Sequence, residues 1–150
     1  MRRRQEELVM AQTFRAAVIQ AASIPTNAAA SAQKAAALVQ EAAQQGARLI
    51  VFPEAFLGGY PKGASFGTPV GMRKPEGRED FRRYHAAAID LDGPEVQELA
   101  EATKATGAFV VIGVIERDGG TVYCTALFFD GERGLIAKHR KLMPTAAERL

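Results

Sequence analysis

From Ala28 to Gln45 the chain contains only Ala, Ser, Gln, Lys, Leu, Val and Glu, with no glycine, proline or aromatic residue. Most of these are strong helix formers. Leu38 and Val39, with alanines three and four residues away, give the stretch a shallow apolar face. Two short apolar runs bracket it. Phe14-Arg15-Ala16-Ala17-Val18-Ile19-Gln20 comes before and Leu49-Ile50-Val51-Phe52 after. Both read as buried strands, the second as one covered on both faces. Pro25-Thr26-Asn27 breaks the chain ahead of the helix, with Asn27 or Thr26 available to cap it. Gly46 stands where a left-handed cap ends it.

The remainder decides the fold class. Residues Ala55 to Arg78 are rich in Gly and Pro without periodicity, and loops of that length are usually functional. A short helix is predicted over Phe81 to Ala88. A second starts at Gly93-Pro94, runs to about Thr106 and closes at Gly107. Phe109-Val110-Val111-Ile112-Gly113-Val114-Ile115 reads as a third buried strand. Asp118-Gly119-Gly120 turns the chain into Thr121–Phe129, and Asp130-Gly131-Glu132-Arg133-Gly134 turns it into Leu135–Arg140, a meander with two hairpin turns. Strand–helix–strand, then helix, then hairpins predicts an α/β layered fold with a mixed sheet. Met1 to Gln12 read as an extension outside the domain, with Met10 as an alternative start. Arg2, Arg3 and Arg4 lead into Gln5, Glu6 and Glu7 with none of the apolar region a secretory signal needs. The domain is expected over 13–150.

Composition removes several function classes. Nineteen Lys and Arg against 17 Asp and Glu leave a net charge of +2, too small for a nucleic-acid or membrane-surface footprint, so neither partner is expected. One Cys excludes a disulfide framework and a Cys-rich zinc site. No apolar run approaches the roughly 20 residues of a membrane-spanning helix. A single thiol and no export signal predict the cytoplasm.

Two places carry chemistry. In Phe52-Pro53-Glu54-Ala55-Phe56-Leu57-Gly58-Gly59-Tyr60-Pro61, Glu54 lies just beyond a strand and before a loop. Ligands of α/β sheets bind in the crevice past the carboxyl ends of strands. A carboxylate partly desolvated there is expected to rise toward the range of a general base. In Lys138-His139-Arg140-Lys141-Leu142-Met143-Pro144-Thr145-Ala146-Ala147-Glu148-Arg149, Lys141 also follows a strand, and its ammonium could stabilise an anionic intermediate. The bland alternatives are a solvated loop carboxylate and a solvated basic strand end. His139 and His85 are uninformative alone, and their spacing makes no metal site. Cys124, mid-strand among apolar neighbours, reads as a buried, unreactive thiol.

The segments Ala47–Glu54, Gly59-Tyr60-Pro61-Lys62-Gly63, Gly113-Val114-Ile115-Glu116-Arg117 and His139–Thr145, in this order and spacing, resemble the nitrilase superfamily of carbon–nitrogen hydrolases, most closely its nitrile-hydrolysing branch. The resemblance spans Phe14 to Leu150. It implies the first half of a four-layer α-β-β-α sandwich, a truncated domain whose sheet edge and apolar faces lack their cover. It also implies a cysteine nucleophile that forms a thioimidate with a nitrile, on a strand beyond Leu150. Glu54 matches the family's general base, Lys141 its lysine, and Glu148 its second glutamate. The implied partners are a small nitrile substrate and, at full length, further copies of the chain. No cofactor and no metal are implied. On this reading the 150-residue chain alone is inactive. The alternatives are an amidase or carbamoylase of the same superfamily, or a non-catalytic binding remnant.

Overall fold

The computed structural model describes residues 13–61, 66 and 74–145. Five strands form one sheet in sequence order: β1 (Ala16–Val18), β2 (Leu49–Val51), β3 (Phe109–Asp118), β4 (Thr121–Asp130) and β5 (Gly134–Arg140). β1, β2 and β3 pair in parallel, and β4 and β5 follow antiparallel. The sheet is therefore mixed. Four of its strands point the same way, and their carboxyl ends share one side of the molecule. Three helices accompany it: α1 (Ala28–Gln44), α2 (Pro75–Ala86) and α3 (Pro94–Thr106). Among the described residues no helix is long and apolar enough to cross a membrane.

Local chemistry explains the ends of the elements. The Asn27 side chain accepts a hydrogen bond from the Ala30 N–H at 2.9 Å and caps α1. Gly46, at φ 85°, turns the chain out of it. Within α1, Ala32, Ala35, Val39 and Ala42 form one buried stripe. The small residues let α1 lie close against α3, which buries Val96, Leu99 and Ala102. Both helices cover the sheet face built from Ile50, Val110, Ile112, Val114, Leu127 and Phe129. Each fully buried aliphatic or aromatic side chain there contributes about 1.5–3 kcal/mol.

The other face is different. Because side chains alternate along a strand, Leu49, Val51, Phe109, Val111 and Phe128 point to it, and all stay half-buried. Val18 is 82% exposed there. Near the carboxyl end of β3 this face is covered, where Ala55 and Ala88 pack on Ile115, with Tyr84, Val122 and Cys124 around them.

Three elements differ from the sequence expectation. The run Phe14–Gln20 contributes only a three-residue edge strand, and it is not buried. Its apolar pattern is two-sided, but only one side has anything packed on it. β2 is likewise covered fully on one face alone, at Ile50. α2 begins at Pro75, not Phe81. Proline at the first helical turn sets φ in advance, and Glu76 complements the helix dipole. A search for apolar periodicity misses this because the first two turns are polar. The extension Met1–Gln12 lies outside the described residues.

Candidate active site

The chain leaving β2 does not depart into solvent. Phe52 N–H donates to the Val111 carbonyl at 2.8 Å, and Gly113 N–H donates to the Pro53 carbonyl at 3.2 Å. After a sharp turn at Ala55 (φ 53°), Phe56 N–H donates to the Gly113 carbonyl at 2.7 Å and Ile115 N–H to the Leu57 carbonyl at 2.8 Å. The segment Pro53–Leu57 is therefore laced along β3 across Gly113. The fit admits no side chain at that position. A Cβ on Gly113 would stand 2.5 Å from Glu54 Cα and 2.7 Å from both Ala55 N and the Pro53 carbonyl oxygen. Gly113 sets the height of Glu54 above the sheet.

Lys141 arrives from the opposite edge. Its N–H donates to the Cys124 carbonyl at 2.8 Å, extending the β4–β5 ladder one residue past β5. Alternation sends Lys138 and Arg140 to one face and His139 and Lys141 to the other. Lys141 Nζ donates to Glu54 Oε1 at 2.8 Å and to Thr145 Oγ1 at 3.0 Å. Two residues 87 positions apart thus meet at the carboxyl ends of β2 and β5. The desolvation expected at Glu54 is partial. Its side chain is 45% exposed and that of Lys141 28%. A pair this open adds at most about 1 kcal/mol to folding. Its chemical value is a carboxylate and an ammonium held within one proton-transfer distance.

The pair opens into a cavity of about 420 Å³ lined by Phe52, Glu54, Gly113, Cys124, His139 and Lys141, among others. Two of these residues depart from the sequence expectation. Cys124 is half-buried, not sealed in the core, and borders the cavity. It lies on the sheet face opposite α1 and α3, beside Ile115 and the cluster that Tyr84 of α2 joins. His139, uninformative as an isolated residue, lies on the same wall. Glu148 lies outside the described residues, as do Lys62 and Gly63.

On the reverse side of the sheet lies a group that sequence reasoning passes over. Glu116, on β3, is 1% exposed. It accepts hydrogen bonds from Thr125 Oγ1 at 2.8 Å, Lys138 Nζ at 2.5 Å, and Arg140 Nε and a terminal Arg140 nitrogen at 3.0 and 2.6 Å. Burial pushes its carboxyl upward, but the bonds from Arg140, Lys138 and Thr125 outweigh that and hold it down at about 2. A depressed folded-state value stabilises the fold above the ordinary value of 4.5, and that stability is lost as pH falls toward about 2. Thermal unfolding across that window should show a smaller drop in midpoint for Glu116→Gln than for the unsubstituted protein. Equal slopes would contradict the buried ion cluster.

Residues 15–150 match the family model described as carbon–nitrogen hydrolase. The chain is 73% identical over 138 residues to a nitrilase of Bradyrhizobium diazoefficiens, covering 92% of this chain and 43% of that protein. It is 57% identical over 137 residues to an aliphatic nitrilase of Sinorhizobium fredii (91% and 44%). It is 54% identical over 138 residues to a bifunctional nitrilase/nitrile hydratase of Nicotiana tabacum (92% and 40%). The chain therefore spans less than half the length of these relatives. Among solved structures, an amidase of a Nesterenkonia species superposes with a TM-score of 0.62 at 18% identity, over 91% of this chain and 47% of the other. An N-terminal amidase gives 0.63 at 18% identity, over 88% and 28%. The five-stranded sheet and its helices share the fold of the matched part of these two structures.

Proposed function

The chain belongs to the carbon–nitrogen hydrolase family, and on that premise we propose that it is the N-terminal part of a nitrilase, domain residues 13–150, supplying the base and the cation of a nitrile-hydrolysing centre. The single observation that carries this reading is the 2.8 Å contact between Lys141 Nζ and Glu54 Oε1 at two strand ends. The high identity to nitrilases over nine-tenths of the chain supports the nitrile branch. The thiol comes from sequence outside this chain. A solved relative with acrylamide added to its active-site cysteine supports a sulfur nucleophile.

In the proposed sequence, Glu54 accepts the thiol proton as sulfur bonds to the nitrile carbon. The former triple bond becomes the C=N of a thioimidate, and Glu54 returns the proton to nitrogen. Water adds to that carbon with Glu54 again as base, both of its protons pass to nitrogen, and the C–N bond breaks to release ammonia as the hydroxyl oxygen becomes the thioester carbonyl. A second water cleaves the resulting thioester to the carboxylic acid and restores the thiol. Lys141 stabilises the tetrahedral species with its ammonium. Glu148 assists Lys141 or the substrate. On this reading catalysis needs that thiol together with Glu54 and Lys141, and the full-length protein works as a cytoplasmic homo-oligomer.

Ammonia release by the full-length protein from a nitrile and from the corresponding amide tests the substrate class. The expected result is a kcat/KM at least about tenfold higher on the nitrile, a difference of roughly 1.4 kcal/mol in transition-state stabilisation. Preference for the amide would move the protein to the amidase branch, and no ammonia from either would refute the hydrolase reading.

A further inference from the structure

We propose that Glu116 is a positioning residue for Lys141, acting through Arg140 from the opposite face of the sheet. The inference rests on the reading that Lys141 serves the hydrolytic centre, and it concerns what holds Lys141 in place.

Among the described residues β5 pairs only with β4. An edge strand keeps its register when its apolar residues must face the core. At the carboxyl end of β5 that device is missing, since residues 138–141 are Lys, His, Arg and Lys. A register irregularity already exists in this ladder at Phe128/Phe129. A slip by one residue would turn Lys141 to the helix side and point Arg140 into the cavity instead.

The ion cluster supplies what the apolar pattern cannot. The buried Glu116 carboxylate reaches across β4 and grips Lys138 and Arg140, the two residues that alternate with His139 and Lys141. Arg140 is held on two further sides. It donates to Asp118 Oδ2 at 2.8 Å, and its guanidinium carbon lies 3.8 Å from the centre of the Tyr123 ring. Thr125, cross-strand from Arg140, donates to the same carboxylate. A residue pinned this way fixes the backbone of its neighbour, and that neighbour is Lys141. Specification of register is the best-attested use of buried polar groups.

The test uses the full-length protein with Glu116→Gln, Arg140→Gln and Arg140→Lys. Two quantities are read: kcat and KM for a nitrile, and hydrogen exchange of the Lys141 amide, which the Cys124 carbonyl holds. Glu116→Gln and Arg140→Gln should lower kcat by roughly tenfold to a hundredfold with KM within about twofold. Both should speed Lys141 amide exchange relative to amides of β3. Arg140→Lys should recover part of both. If Glu116→Gln does not fold, the Arg140 pair decides, because that side chain is 30% exposed and tolerates replacement. Unchanged Lys141 exchange in the Gln variants overturns the proposal, and so does faster exchange with unaltered kcat. Absence of turnover in the unsubstituted protein overturns the nitrilase reading instead, and the exchange measurement alone then decides this one.

Discussion

Gly113→Ala is expected to remove at least about 99% of turnover in the full-length protein and to lower its thermal midpoint. The added Cβ meets Glu54 Cα at 2.5 Å and the Pro53 and Ala55 backbone at 2.7 Å. These are backbone atoms and cannot swing aside as a flexible side chain would. Either β3 shifts within its sheet, or the Pro53–Leu57 segment lifts away. Lifting weakens the bonds that Gly113 and Ile115 share with Pro53, Phe56 and Leu57, each worth about 1 kcal/mol. Overpacking adds a further cost of about 1–3 kcal/mol. Small displacements of this kind move Glu54 out of reach of Lys141. Gly120→Ala is the control, since its Cβ meets nothing within 4 Å. Full activity and an unchanged midpoint in Gly113→Ala would show that Glu54 does not depend on this close approach.

The other large effect concerns the pair itself. Lys141→Met keeps much of the side-chain length but removes the ammonium. If the ammonium stabilises charge that develops only in the transition state, kcat should fall about 10²–10³-fold with little change in KM. Folding should hardly respond, because a pair this exposed adds little stability. A fall confined to KM would instead assign Lys141 to substrate binding.

How much of this is legible in the residues depends on the kind of signal each element carries. The helix over Ala28–Gln44 and the succession of strands and helices along the chain declare themselves through propensity and periodicity, which are local. Glu54 stands out because it follows an apolar run and Lys141 because it follows a predicted strand, and strand ends are where α/β proteins place ligands. Their contact across 87 residues is tertiary, and no local pattern announces it. Gly113 interrupts an apolar strand, a sign of close backbone approach, but what approaches is visible only once Pro53–Leu57 lies over it. In the sequence Glu116 is one charge near a strand end. Its burial follows from pairing with two strands that come after it in the chain. The apolar neighbours of Cys124 suggest a sealed thiol, whereas its exposure depends on which face of the sheet is covered.

The most direct measurement is ammonia release from a nitrile by the full-length protein and by Glu54→Gln, Lys141→Met and the double variant. Glutamine keeps the shape of Glu54 but cannot accept a proton near neutral pH, so Glu54→Gln should lose about 10²–10⁴-fold in kcat. If base and cation act as one unit, the double variant should be scarcely slower than Glu54→Gln alone. Turnover by Glu54→Gln within a few-fold of the unsubstituted protein would contradict the assignment of Glu54 as the proton acceptor.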